Sequence, residues 1–208
     1  MGLGWVSIGS PDGLRSFDPL RIADLEYRMW VGYYLRRWTY LLAAAVRLFR
    51  LGFGLDMVRT AQGAWLMLRA VQLWAPFPDN DPDGARACMR EVYGLVRMRF
   101  GEPADPERAA ALEIDWWRAH RERQYSPDPA ETGDELLESV TRLYSYLFGQ
   151  TETVFRPAAV HRVQAMDLSD RWVREGCPAD SPLLPLQHAA LVRAYAALLA
   201  ALHHEERC

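Results

Sequence analysis

The sequence predicts an all-α fold, a single compact bundle of about seven helices joined by short loops. Three observations lead there. Apolar residues recur with a helical period, no segment sustains the apolar–polar alternation of a strand, and Asp, Pro and Gly signals divide the chain repeatedly. Loops this short place successive helices side by side, with an antiparallel arrangement expected.

Residues 1–17 contain Gly9, Ser10, Pro11 and Gly13 and read as an irregular arm, leaving 18–208 for the bundle. Asp18-Pro19 opens the first helix, whose periodicity runs to about Arg50 before Gly52 and Gly54 stop it. The second covers Leu55 to Trp74, ahead of Pro76 and Pro78. The third follows the loop Asp79-Asn80-Asp81-Pro82-Asp83-Gly84 and runs to Phe100, with Gly101 just past its end. Asp105-Pro106-Glu107 starts the fourth, which continues to about Gln124. After the loop at 126–133, the fifth spans Asp134 to Phe148. The sixth runs from Thr151 to Glu175 and is ended by Gly176 and Pro178. The seventh starts near Pro185 and continues into the C-terminal His-His-Glu-Glu-Arg-Cys.

A chain of 208 residues, half hydrophobic and a quarter charged, can bury a full core as one domain. A net charge of −3 supplies no basic field for nucleic acid. All 24 basic residues are arginine, as a GC-rich coding sequence would produce. Cys88, Cys177 and Cys208 match no zinc or redox spacing and suit a reducing compartment. The N-terminal residues lack the basic and apolar regions of a secretory signal. Arg47 and Arg50 interrupt the apolar run Leu41 to Leu55 well short of a membrane span. The expectation is a cytoplasmic protein without a membrane span; nothing in the sequence specifies an oligomeric state.

Placing residues at about 100° per position shows which face each helix buries. The first segment's stripe includes Ile22, Met29, Trp30, Tyr33, Tyr40 and Leu41, with Glu26 and Arg37 in its midst. The fourth presents Ala109, Leu112, Trp116 and Trp117 together with Glu113 and His120. In the sixth, Phe155, Ala158, Ala159, Val163, Met166 and Val173 surround Arg162, and Asp170 lies at the margin. His188 joins Leu191, Tyr195 and Leu198 in the seventh, and Arg99 joins Cys88, Val92 and Leu95 in the third. In the fifth, by contrast, Glu135, Glu138 and Arg142 face outward.

Charges are rarely buried without partners, because desolvating an ion costs several kcal/mol. The inward groups must therefore pair, be hydrated, or hold something. One expectation is a set of internal ion pairs. The other is a polar cavity lined by Trp30, Tyr33, Trp116, Trp117 and Tyr144 that receives a small molecule.

Three chemistries fit these residues. Glu113 and His120 are seven positions apart on one face and, with Glu26, Asp170 and His188, make a mixed carboxylate–imidazole set suited to iron or manganese. The spacing Glu113-x6-His120 in a chain of this size resembles the haem-oxygenase-like diiron oxidases, which are seven-helix bundles. The resemblance implies a glutamate ligand on the next helix, then histidine and aspartate together on the one after. The sequence departs from that pattern: the segment 134–148 has no inward carboxylate, His161 and Asp170 do not share a face at the family's spacing, and Asp167 points outward.

The loop from Asp79 to Gly84 fits the opening of a calcium-binding EF-hand loop, yet its twelfth position is Arg90 where a glutamate is needed. Asp81 or Asp83 capping the next helix is the better reading. Finally, Arg37, Arg99 and Arg162 present guanidinium forks that suit a carboxylate or phosphate. No nucleophile motif or glycine-rich phosphate loop is present.

The function expected is therefore a small-molecule-binding helical bundle with its site among the segments 18–50, 105–124 and 151–175. As an enzyme, it would use Glu113 and His120 as general base and orienting partner or as metal ligands. Glu26 would be the third member, and Arg37 and Arg162 the substrate clamp. The alternative is a non-catalytic interaction or structural protein whose inward charges are internal ion pairs.

Overall fold

A computed structural model describes residues 14–126 and 134–203. Among them are eight helices: α1 (Pro19–Tyr34), α2 (Trp38–Gly52), α3 (Met57–Trp74), α4 (Pro82–Phe100), α5 (Pro106–Tyr125), α6 (Glu135–Phe148), α7 (Glu152–Arg174) and α8 (Leu183–Leu202). Residues 1–13, 127–133 and 204–208 lie outside the described residues.

Four helices begin where an aspartate side chain accepts from an otherwise orphaned backbone N–H. Asp18 caps α1 through Leu20 N at 3.0 Å, Asp56 caps α3 through Arg59 N at 2.9 Å, and Asp105 caps α5 through Glu107 N at 2.9 Å. Asp81 does the same for α4, accepting from Gly84 N at 2.8 Å, so the calcium-like loop serves as a helix start. Gly101, Gly149 and Gly176 follow the ends of α4, α6 and α7 at φ of 78°, 68° and 84°, where a side chain would be strained.

The segment expected to run unbroken from Asp18 to Arg50 is two helices. Leu35–Arg37 interrupt it, and Arg36 stands at φ 55° although it is not glycine. Tertiary packing holds this corner. A Cβ on Gly32 would come within 3.2 Å of Leu41, so α1 and α2 approach closely at the glycine. The Arg36 guanidinium lies 5.0 Å from the Tyr33 ring and 5.6 Å from that of Trp38, and donates to Ala75 O at 3.2 Å. The break resets the helical phase, which turns Arg37 and Tyr40 to the outside.

Helices adjacent in sequence are neighbours in space, and α8 packs on both α7 and α1, so the succession closes into a ring. One continuous apolar core draws residues from all eight helices. The residues ahead of α1 pack onto the bundle: Phe17 meets Tyr195 edge-on at 5.9 Å, and Arg15 bridges to Glu102 at 3.0 Å and to Phe148 O at 2.8 Å. Among the described residues α8 alone is long and apolar enough to cross a membrane by length and composition, with a mean hydropathy of 1.3. Its Ala190, Leu191, Ala194 and Leu198 are buried in the bundle.

Candidate functional site

Two adjoining hollows of about 170 and 220 Å3, each partly open to solvent, lie among the helices. They share Leu48, Met67, Glu113, Trp116, Arg162 and Tyr195, which form the wall between them. The larger is apolar, walled by side chains such as Phe49, Val92, Leu143 and Phe148. The smaller holds the polar chemistry.

Its first feature is a buried ion pair. Arg162 of α7 grips Glu26 of α1 with both ends of its fork, Nη2 to Oε1 at 2.5 Å and Nη1 to Oε2 at 3.1 Å, each side chain only 11% exposed. Tyr195 donates to the same carboxylate at 2.7 Å, and Arg162 Nη1 reaches the Tyr144 hydroxyl at 3.3 Å. The guanidinium lies 5.7 Å from the Trp30 ring and 5.3 Å from that of Trp116. Burial works against its charge, but Glu26 and the surrounding oxygens hold its pKa well above the ordinary value.

The second feature is Glu113, which accepts from Tyr93 at 2.8 Å and from Trp117 Nε1 at 3.0 Å. Burial raises its pKa, against the lowering pull of the Tyr93 hydroxyl and the Arg162 charge. In the unfolded chain this carboxyl titrates near about 4.3, so above that pH the folded state holds the proton more tightly and stability falls as pH rises. Glu113→Gln abolishes the titration. Its Tm relative to the native protein is expected to climb as pH rises above about 4 in parallel melts, and a flat or shrinking difference refutes this.

The third feature is the pair of His120 on α5 and Asp170 on α7. The Asp170 oxygens lie 3.2 and 3.1 Å from His120 Nε2, while Gln124 and Tyr34 donate to Asp170 at 2.9 and 3.4 Å. His120 stacks against Trp116 and lines the hollow.

The fourth is Arg121, 8% exposed and part of the same wall. Its Nη2 donates to the Tyr33 hydroxyl at 2.9 Å and to Trp74 O at 3.2 Å, and its guanidinium lies 5.1 Å from the Trp74 ring and 5.2 Å from that of Phe77. Its Nη1 is buried without a hydrogen-bond partner, and no carboxylate pairs with it among the described residues.

Several expectations are corrected by this geometry. Arg37 sits at the exposed N-cap of α2 and Arg99 is exposed, its guanidinium over the Phe100 ring, so neither can clamp a ligand in the cavity. His120 takes Asp170 as its partner, while Glu113 is held by Tyr93 and Trp117. His188 lies outside the hollow, edge-on to Tyr27 and 3.9 Å from Asp24. Of the candidate metal ligands, Glu26, Glu113 and His120 line one cavity, but Glu26 is spent on Arg162. Among the described residues no three His, Cys, Asp or Glu side chains converge as a metal site. Trp30, Tyr33, Trp116, Trp117 and Arg162 do line the cavity; Tyr144 lines its apolar neighbour.

No family model, curated protein or solved structure matches this chain. The residues of the cavity are therefore the whole basis for assigning its chemistry. Sequence reasoning missed Arg121, Gln124 and Trp74. The signal was present for two of them: Glu113, Trp117, Arg121 and Gln124 continue a single row on α5 at steps of four and three.

Proposed function

We propose that this bundle binds a small molecule with an apolar, ring-sized body and one acidic group, held in the smaller cavity with the acid on Arg121. The observation that carries the reading is the Arg121 guanidinium. It is a buried cation with an unused donor and no carboxylate partner among the described residues, in a wall otherwise rich in tryptophan and tyrosine. The other inward cation, Arg162, is already satisfied by Glu26. A buried charge left without a counter-charge is expensive, and a ligand carboxylate would supply what the described residues do not. Glu113, shifted toward its neutral form by burial, opposes an incoming anion less than a free carboxylate would.

Size sets the ligand class. A cavity of about 170 Å3 is close to the roughly 150 Å3 apolar void that accommodates benzene in an engineered protein. That volume suits a one-ring acid. The His120–Asp170 pair favours an enzymatic form of the same reading. A carboxylate that orients an imidazole beside a bound molecule is the arrangement of a general acid–base catalyst.

The test uses benzoate and phenylacetate against benzyl alcohol, by thermal shift and calorimetry. The acids should raise the Tm and bind more tightly than the alcohol. Arg121→Met should weaken the acids about 10- to 100-fold, the range for losing a charge-assisted hydrogen bond of about 1.5–3 kcal/mol. Equal binding of acid and alcohol, or no response to any one-ring acid, overturns the reading.

A further inference from the structure

The charge of this chain is unevenly distributed. Residues 36–75, which contain α2 and α3, carry six arginines and a single acid, Asp56, for a charge of +5. The remainder carries eighteen arginines and twenty-six acids, for −8. Asp56 caps α3 and pairs with Arg59, so the ion pairs among the described residues leave Arg36, Arg37, Arg47, Arg50 and Arg69 without a carboxylate. All five are exposed.

The same hairpin carries exposed apolar side chains. Met57 and Val58, in the first turn of α3, are 69% and 76% exposed, and Leu51 in the last turn of α2 is exposed beside them in sequence. Trp65 is 56% exposed on the outer face of α3, and Tyr40 and Val46 are exposed on α2. Scattered exposed apolar residues mean little. Here six of the twelve large apolar side chains exposed among the described residues lie on one helical hairpin, three of them flanking its connecting turn, and the same hairpin carries the five guanidinium groups without a carboxylate.

We infer that the outer face of the α2–α3 hairpin docks on a membrane surface rich in anionic lipid, with Met57 and Val58 entering the boundary between headgroups and acyl chains. Arginine heads meet lipid phosphates and carboxylates, and aliphatic tips with a tryptophan and a tyrosine sit at the depth such side chains favour. A second copy presenting the same face would set five unpaired positive charges against five. The inner faces of these helices supply Leu41, Leu48, Met67, Val71 and Trp74 to the small cavity, so the docked hairpin is also a wall of the pocket.

The experiment is flotation of the full chain with vesicles of phosphatidylcholine, with and without phosphatidylserine, at rising NaCl. The chain should float with the phosphatidylserine vesicles alone and be released by salt. Val58→Glu and the double variant Arg47→Glu/Arg69→Glu alter exposed positions and should melt as the native protein does. Each should lower partitioning at least about tenfold, the effect of losing one to two contacts of this kind. Absence of flotation, equal flotation on phosphatidylcholine alone, or unchanged binding by the arginine variant overturns the proposal. So does sedimentation showing that these substitutions instead dissolve a dimer or release an acidic protein.

Discussion

Glu26→Ala is expected to destabilise the bundle by about 3–5 kcal/mol, the cost of stripping the partner from a buried charge. The loss falls on Arg162. Its guanidinium cannot shed its proton at any accessible pH, and without Glu26 the Tyr144 hydroxyl is the one acceptor it keeps among the described residues, between two tryptophans. Tyr195 loses its acceptor as well. For a chain of this length the Tm should fall by roughly 6–20 °C, at about 2–4 °C per kcal/mol. The double replacement Glu26→Leu/Arg162→Met should recover most of the loss, since a buried pair and an apolar pair of similar volume differ little. Chemical denaturation checks both. A single variant within about 1 kcal/mol of the native protein would show that water already reaches the pair.

Trp172→Ala should cost a similar amount, about 3–5 kcal/mol, for a different reason. The indole is 1% exposed, and its Nε1 donates to Pro178 O at 2.9 Å, tying α7 to the turn that leads into α8. Removing it empties a large volume in a close-packed region and orphans a carbonyl. Trp172→Phe keeps much of the packing and loses the hydrogen bond, so about 1–3 kcal/mol is expected. Tyr34 meets Trp172 edge-on at 6.4 Å and donates to Asp170, the partner of His120. The alanine variant should therefore also broaden the His120 ring signals in NMR spectra. Sharp, unshifted His120 signals in a destabilised variant would limit the role of Trp172 to packing.

Trp172 also shows where one-dimensional reasoning stops. A single apolar stripe on the sixth segment selects Val173, yet α7 buries Ala165, Ser169, Asp170 and Trp172. The helix packs between α6 and α8 and so has two buried faces, while a stripe assumes one. The same error left Asp170 at a margin when it is the buried partner of His120. Arg121 escaped notice because a charged residue late in a polar helix reads as solvated. Its row on α5 continues from Glu113 into the cavity, because α3 covers that end with Trp74.

The sequence by itself determined the helices, most of their limits, and the inward direction of Glu26, Glu113, His120 and Arg162. These depend on local signals: aspartate caps, glycine ends and the period of apolar residues, all felt within a few positions of the chain. Tertiary structure alone decided the break at Leu35–Arg37, and with it the outward turn of Arg37. It also chose the partners, giving Glu26 to Arg162, Asp170 to His120, and, among the described residues, no carboxylate to Arg121. Periodicity records the direction in which a side chain leaves its helix. Which group waits opposite depends on how distant helices cross, and that geometry has no local signature in the chain.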